Sequence, residues 1–332
     1  MKKTVSFSKN ATNIFFHITT HCNLNCRHCY INPGQHGRLT LPLPSIAAWL
    51  RAFVNPGKPA NVVFLGGEPT LHPELAPAVK KARKLGARSI TIDTNGYLFH
   101  DILLKLEPED VDYFSFSLDG TTRKTNDAIR GQGCYKQCIE GIRKSVTRGF
   151  STSMIFTVSQ KNIHELPAMV PLAVDLGIDR LFIQVIGIRG EFAKRRAGWQ
   201  VSRDEWLRVV PETAERIAEA GITAIYPKVF LDLEEPFECA GLVAENYFIF
   251  PNGRVYRCPL CEDYPLHSLT MAGNRPLETG KINERDLFGL TIAEGCVMNK
   301  IVQPENLRYF EDGTPRYKVA CCMLKEEVRG TH

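Results

Sequence analysis

No apolar run in this 332-residue sequence approaches the roughly 20 residues of a membrane-spanning helix. An export signal is missing too. The opening stretch MKKTVSFSKNATNIFF starts basic but lacks the apolar segment of about 7–15 residues that such a signal carries. A cytoplasmic protein with no membrane partner is expected. Excess charge of one sign is also scarce: 41 Lys and Arg against 36 Asp and Glu leave a net charge of +5. With no strongly basic segment appended, no nucleic-acid partner is expected. The clusters KKARK (80–84) and KRR (194–196) read as solvated faces. Low-complexity tracts are absent, and 44% hydrophobic with 23% charged residues is ordinary for a globular chain. The length suits one large α/β domain with an appendage, or two domains.

Cysteine is the residue present in excess. Eleven cysteines, an odd number, do not make a closed disulfide framework. In a chain without export signals, tight cysteine clusters point to metal ligation or catalysis. Isolated ones such as Cys134 and Cys138 read as core. The stretch HCNLNCRHCY (21–30) holds three, Cys22, Cys26 and Cys29.

β-like runs rich in branched and aromatic residues recur at 13–19, 61–65, 89–93, 113–117, 152–158 and 180–186. Helix-like segments lie between them at 45–53, 74–86, 134–149 and 165–177, the last three ending at glycine. Six strands alternating with helices predict a parallel sheet with right-handed crossovers. Six units fall short of a closed eight-fold barrel, so an open, partial (β/α)6 TIM-like barrel over residues 12–225 is expected, with a flat doubly wound sheet as the other option. Either architecture puts chemistry at the C-terminal ends of the strands. An amphipathic helix over 201–221 should be kinked or broken at Pro211. Beyond it, 226–332 reads as a small cysteine-rich domain. Within it, 245–259 is a β-hairpin turning on Asn252-Gly253.

Cys22 follows the first strand, so the triplet lies in a strand-end loop. A C-x3-C-x2-C loop can wrap an iron–sulfur cluster. Three thiolates for four irons leave one iron open. From spacing alone, zinc completed by His21 or His28 is the competing reading.

CNLNCRHC (22–29), LGGEPT (65–70), DTNG (93–96) and SLDG (117–120) follow successive strands, and AIRGQG (128–133) leads into the next helix. In this order they resemble the motifs of the radical S-adenosylmethionine (SAM) enzymes, over roughly residues 12–190, with His28 where an aromatic residue usually stands. The resemblance implies a [4Fe–4S] cluster on Cys22, Cys26 and Cys29, with SAM on its open iron. It implies reductive cleavage of SAM to a 5′-deoxyadenosyl radical that abstracts hydrogen from a substrate. Gly66 and Gly67 would let the backbone approach the ligand closely. Glu68 would meet the SAM ammonium. Asn95 would lie beside the adenosine or the substrate. Ser117 and Asp119 would face the ribose or the methionine end, and Arg130 the methionine carboxylate. The bland alternatives are turn capping for Glu68 and Asp119, and a surface ion pair for Arg130. The implied partners are an electron donor such as flavodoxin or ferredoxin and a small-molecule or peptide substrate.

The spacing C-x13-G-x4-C, from Cys239 through Gly253 to Cys258, resembles the opening of SPASM and twitch domains, which carry auxiliary iron–sulfur clusters. The dense downstream cysteine run of a full SPASM domain is missing, so one auxiliary cluster is expected. Its candidate ligands are Cys239, Cys258, Cys261 and Cys296, with Cys322 standing for the pair Cys321-Cys322. Adjacent side chains usually diverge, so only one of that pair should reach the cluster; zinc on the CxxC of Cys258 and Cys261 is the other option. About a dozen residues precede the first strand, too few for an attached peptide-recognition domain. The segment ENYFIF (245–250) could offer a sheet edge to a peptide, though a buried hairpin strand is preferred. The stretch 188–200, with Arg189, Lys194, Arg195, Arg196 and Trp199, could line a mouth for an anionic substrate or be a solvated loop. A cysteine-rich zinc or iron–sulfur regulator without enzyme activity is the alternative function.

Overall fold

A computed structural model describes residues 2–6, 11–55, 57–195, 198–262, 267–280 and 282–330. Fifteen strands are formed: β1 (Lys2–Ser6), β2 (Thr12–His17), β3 (Ala60–Leu65), β4 (Ala87–Thr94), β5 (Tyr113–Ser117), β6 (Thr152–Val158), β7 (Arg180–Val185), β8 (Thr223–Pro227), β9 (Phe230–Leu231), β10 (Glu245–Ile249), β11 (Arg254–Tyr256), β12 (Leu269–Ala272), β13 (Arg275–Glu278), β14 (Lys318–Val319) and β15 (Leu324–Val328). Thirteen of them make one sheet in the order β1-β15-β8-β7-β6-β5-β4-β3-β2-β10-β11-β12-β13, and β9 pairs with β14.

The six expected strands are β2 to β7, parallel and in sequence order. They form because each is an apolar run long enough to be covered on one face by helices. Ile14, Phe16, Val62, Phe64, Ile90, Ile92, Phe114, Phe116, Met154, Phe156, Leu181 and Ile183 all belong to a single buried core. The helices covering that face include Leu43–Phe53, Leu75–Lys84, Cys134–Thr147, Met169–Leu176 and Arg203–Glu219. Alternation turns the other side chains of each strand to the opposite, inner face. That face carries His17, Asp93, Ser115, Ser117, Thr157 and Gln184, a polar lining for a site. Among the described residues the sheet does not close into a barrel.

Several features go beyond the sequence reading. β8 adds a seventh parallel strand beside β7. On the opposite side β10 runs parallel to β2, so the hairpin extends the main sheet. Its turn is as expected: Gly253 has φ +86°, and Phe248 pairs with Tyr256. β10 has β2 on one side and β11 on the other, so ENYFIF offers no free edge and the buried-strand reading holds. Register is pinned by an asparagine ladder. Asn61 Nδ2 donates to Asn13 Oδ1 (2.9 Å), and Asn13 Nδ2 donates to Asn246 Oδ1 (3.1 Å).

Pro211 does not break its helix, which runs unbroken from Arg203 to Glu219. Proline displaces the carbonyl four residues back. Here that carbonyl belongs to Leu207, on the exposed side of the helix, where water can satisfy it. The expected helix over 165–177 instead begins as a 3-10 turn, Ile163–Ala168, before the helix Met169–Leu176. Cys134 and Cys138 are buried, and Cys138 sits in the main core.

Candidate active site: a three-cysteine loop and a second cysteine cavity

The cysteine loop leaves β2 and is fastened on two sides by backbone hydrogen bonds. Gly67 N–H donates to the Thr19 carbonyl and Glu68 N–H to that of His21, both at 2.8 Å. From the other side, Arg27 N–H donates to the Ile129 carbonyl at 2.9 Å. The motifs at 66–69 and 128–131 therefore bracket the loop that holds Cys22, Cys26 and Cys29. The two glycines also have a structural role within the protein itself. A Cβ on Gly67 would lie 2.3 Å from the His21 carbonyl oxygen, and one on Gly66 2.7 Å from that of Thr19. Both glycines are required by the approach of one loop to the other. Gly67→Ala is expected to lose about 1–3 kcal/mol of stability, because backbone atoms must move apart. Chemical denaturation checks this, and an unchanged midpoint would refute it.

Glu68 is 1% exposed and caps the turn Pro69–Leu71. Its Oε1 accepts from Thr70 N–H (3.0 Å), Thr70 Oγ1 (2.6 Å) and Thr94 Oγ1 (2.8 Å), and its Oε2 from Asn95 N–H (2.7 Å). Burial pushes its carboxyl above the usual range, while these bonds favour the ionised form. Asn95 Nδ2 donates to Asn23 Oδ1 on the cysteine loop at 2.8 Å and lies 4.0 Å from Cys22 Sγ. The 93–96 motif is thus linked to the loop through both Glu68 and Asn23.

Asp119 and Arg130 are paired with each other in the protein alone. Asp119 is fully buried, with Oδ2 2.6 Å from Arg130 Nε and 3.1 Å from His28 Nε2. Its Oδ1 accepts from Thr157 N–H at 2.8 Å. Burial opposes ionisation, but Arg130 and His28 outweigh it and hold the carboxyl at about 2. Arg130 is 8% exposed, so its ion pair is not on the surface. The short helix Arg123–Arg130, too charged and brief to be read from periodicity, folds Arg130 back over the end of β5. His28 also stacks near Trp199, with ring centroids 6.4 Å apart. Ser117 stays on the inner face, half-buried, its carbonyl accepting from Cys138. A residue with no expected role joins this wall: Asp93, hydrogen-bonded by Ser115, is pushed by burial to about 7.

Within the stretch 188–200, Arg189 and Trp199 are packed against the protein, and Lys194 is exposed. Arg189 Nη1 lies 2.7 Å from Glu262 Oε1 and donates to the Pro259 carbonyl at 2.7 Å, while its guanidinium covers the Tyr30 ring at 4.3 Å. Tyr30 follows Cys29, and Pro259 and Glu262 flank Cys261, so Arg189 ties the two cysteine regions together. Trp199 is buried. The Arg195 side chain and Arg196 lie outside the described residues.

A cavity partly open to solvent is lined by Cys239, Cys258, Cys296, Cys321 and Cys322. The remaining candidates are placed as follows. Cys261 packs against Cys258, within hydrogen-bonding reach, but is not on the cavity wall. Cys321 and Cys322 both line it, because the chain turns there, with Leu324 N–H donating to the Cys321 carbonyl, and strand-like alternation does not apply. Cys321 is also within hydrogen-bonding reach of Cys239.

The donor sets suit sulfur-ligated clusters. All eleven cysteines are free thiols. Burial pushes Cys26 to about 12 and raises Cys29, so these thiols stay protonated until a metal displaces the proton. Among the described residues, no three His, Cys, Asp or Glu side chains gather about a single-ion position. A four-iron cluster takes its thiolates at separate corners.

Comparison with known proteins agrees with this geometry. Residues 16–173 match the profile of the Radical SAM superfamily. The chain is 30% identical over 188 residues to a pre-heme d1 synthase of Dinoroseobacter shibae, covering 55% of this chain and 45% of that one. It is 28% identical over 249 residues to an Fe-coproporphyrin III synthase of Methanosarcina barkeri, covering 73% of this chain and 61% of that one. The chain thus spans about half to three-fifths of these curated relatives. Streptococcus suis SuiB superposes with a TM-score of 0.64 at 15% identity, over 90% of this chain and 67% of that one. The enzyme anSMEcpe, solved with bound AdoMet and Kp18Cys peptide, superposes with a TM-score of 0.60 at 13% identity, over 84% and 82%. These two likenesses concern the fold. Residues 16–173 form a radical SAM domain, and that family implies a [4Fe–4S] cluster and SAM. No described helix is long and apolar enough to cross a membrane.

Proposed function

We propose that this enzyme cleaves SAM reductively and uses the resulting radical to abstract hydrogen from a substrate held between the two cysteine regions. The observation that carries this reading is the convergence of four separate motifs on one loop at the ends of β2 to β5. A [4Fe–4S] cluster on Cys22, Cys26 and Cys29 with bound SAM would supply a 5′-deoxyadenosyl radical and methionine. The protein's part is to bind, orient and exclude water. Glu68, fixed in place by its four hydrogen bonds, would accept from the SAM ammonium. Asn95 and Ser117 would face the adenosine and ribose. Asp119 and Arg130, engaged with each other, would position the loop through His28. Gly66 and Gly67 would hold the two loops in contact.

The segment 226–332 is read as a twitch-like auxiliary domain, with Cys239, Cys258, Cys296 and the pair Cys321-Cys322 offering ligands for a second iron–sulfur cluster. Cys261 stands behind Cys258 as a reserve donor. The electron donor would be a flavodoxin or ferredoxin, and the cytoplasm suits an oxygen-sensitive centre. Sequence relatives named as synthases of tetrapyrrole cofactors favour cofactor or natural-product biosynthesis as the role. The fold shared with SuiB, also solved with its precursor peptide SuiA, keeps peptide maturation as the second reading.

Anaerobically reconstituted protein given SAM and dithionite is expected to yield 5′-deoxyadenosine and methionine in equal amounts, read by mass spectrometry. Protein isolated without oxygen that held zinc and no iron would sink the reading and favour a metal-binding scaffold.

A further inference from the structure

Both acids of strand β15 are engaged. Glu326 accepts from the Tyr226 hydroxyl at 2.5 Å, and Glu327 pairs with Arg329 at 2.6 Å. Lys325 of the same strand forms no ion pair among the described residues. It is 4% exposed and stands opposite Pro227 of β8. Its Nζ donates to Gln184 Oε1 at 3.1 Å and lies 5.0 Å from the Phe182 ring centroid. Phe182 and Gln184 alternate along β7 with Leu181 and Ile183, which are buried in the core on the outer face. The ammonium therefore lies on the inner face of the sheet. There Ser117, Ile155, Thr157, Phe182 and Gln184 are only half-buried, so solvent reaches the space they border. An amide oxygen and a ring face compensate a full charge only in part, and a buried charge without a counter-charge costs stability.

The two side chains also orient each other. An ammonium only donates, so the Gln184 amide turns its oxygen to it. The amide nitrogen then points away from Lys325 and has no hydrogen-bond partner among the described residues. Two donors, one of them charged, thus flank the same space. One positive charge balances one negative charge. That suits a carboxylate and leaves a phosphate dianion half compensated. The Phe182 ring beside them offers an apolar face to a carbon skeleton. The position is also tied to the cysteine loop. Gln184 stands in register with Thr157, whose N–H holds Asp119, and Asp119 holds His28. Two strand spacings, roughly 10 Å, separate β7 from β5.

We propose that Lys325 and Gln184 bind a carboxylate of the substrate against the Phe182 ring. The substrate class is then a carboxylic acid with an apolar body. The proposal deepens the reading of the reaction given above and rests on it. SAM carries a carboxylate of its own, and the test separates the two sources.

The reconstituted full chain is titrated, with and without SAM, with 4-fluorobenzoate and with its neutral isostere 4-fluorobenzamide, each followed by fluorine NMR. The wild type should bind the carboxylate at least about tenfold more tightly than the amide, as a charge-assisted hydrogen bond requires. SAM should leave that preference in place. Lys325→Met should abolish it. Gln184→Glu sets a built-in carboxylate against the ammonium and should abolish it too, and this variant decides the matter if Lys325→Met does not fold. No preference in the wild type, or a preference that survives in Gln184→Glu, overturns the proposal. Displacement of 4-fluorobenzoate by SAM, with weaker SAM binding in Lys325→Met, assigns the site to the SAM carboxylate and also overturns it. Formation of 5′-deoxyadenosine is measured on the same preparations. Product without a carboxylate preference overturns the carboxylate site alone. A preference without product overturns the reaction, and with it the assignment of the carboxylate to its substrate.

Discussion

The variant with Cys22, Cys26 and Cys29 all changed to alanine is expected to form no 5′-deoxyadenosine above background, a loss of at least about a thousandfold, because the cofactor carries the radical chemistry and its donors are gone. The same variant should stay folded. The loop is held by backbone bonds at Thr19, His21 and Arg27, which the substitutions leave intact. Cys22 is exposed and the other two are half-buried, so little packing is lost. The variant should also keep iron in the second cavity, where five other cysteines line the wall. Iron content should fall by about four per chain. Measuring product, iron and thermal midpoint together separates a lost centre from a lost fold. Product at the wild-type rate would move the radical chemistry away from this loop.

Asp119→Ala should be among the most destabilising single changes in the chain. It leaves the buried Arg130 guanidinium without its counter-charge, frees the Thr157 N–H, and removes the His28 partner. Breaking a buried pair from one side costs about 3–5 kcal/mol, most of it the desolvated charge left behind. Asp119→Asn keeps the shape and the Thr157 contact but removes the charge, so it should still lose a large part of this. Chemical denaturation reads both. The pair also predicts a pH dependence. The folded carboxyl sits at about 2, below its ordinary 3.8. Its contribution is therefore complete above the unfolded value and is lost as pH falls from about 4 to 2. The wild type should lose about 2 kcal/mol over that window relative to Asp119→Asn. Parallel acid-denaturation curves for the two proteins would contradict the buried ion pair.

The six central strands were legible because each is a local apolar run bounded by turn residues, and local runs need no knowledge of partners. The strand-end motifs were legible for the same reason, since a parallel sheet puts its loops on one edge. What local pattern could not show was which side chains meet. Asp119 and Arg130 were both recognised, yet each was aimed at a ligand. Their mutual pairing depends on a helix, Arg123–Arg130, whose sequence is mostly polar. The divergence of adjacent side chains leaves open which of Cys321 and Cys322 faces a cluster, and here a turn brings both to one cavity wall. Lys325 is buried within the mostly charged strand LKEEV. Its burial comes from β8 on one side and β1 on the other, contacts that span the chain.

The asparagine ladder links residues 233 positions apart. During synthesis, β2 therefore emerges long before β10, and its outer edge has no strand to pair with until residue 249 is made. An unpaired parallel edge beside an apolar face is a site of misassembly. Closing it over such a separation is a slow step in folding. A chain interrupted before β10 would carry the complete three-cysteine loop on a strand with an open edge. Such a fragment should accumulate in aggregates however well the rest of the sheet is formed, and the attachment of the hairpin to β2 is then a condition for the first loop to mature at all.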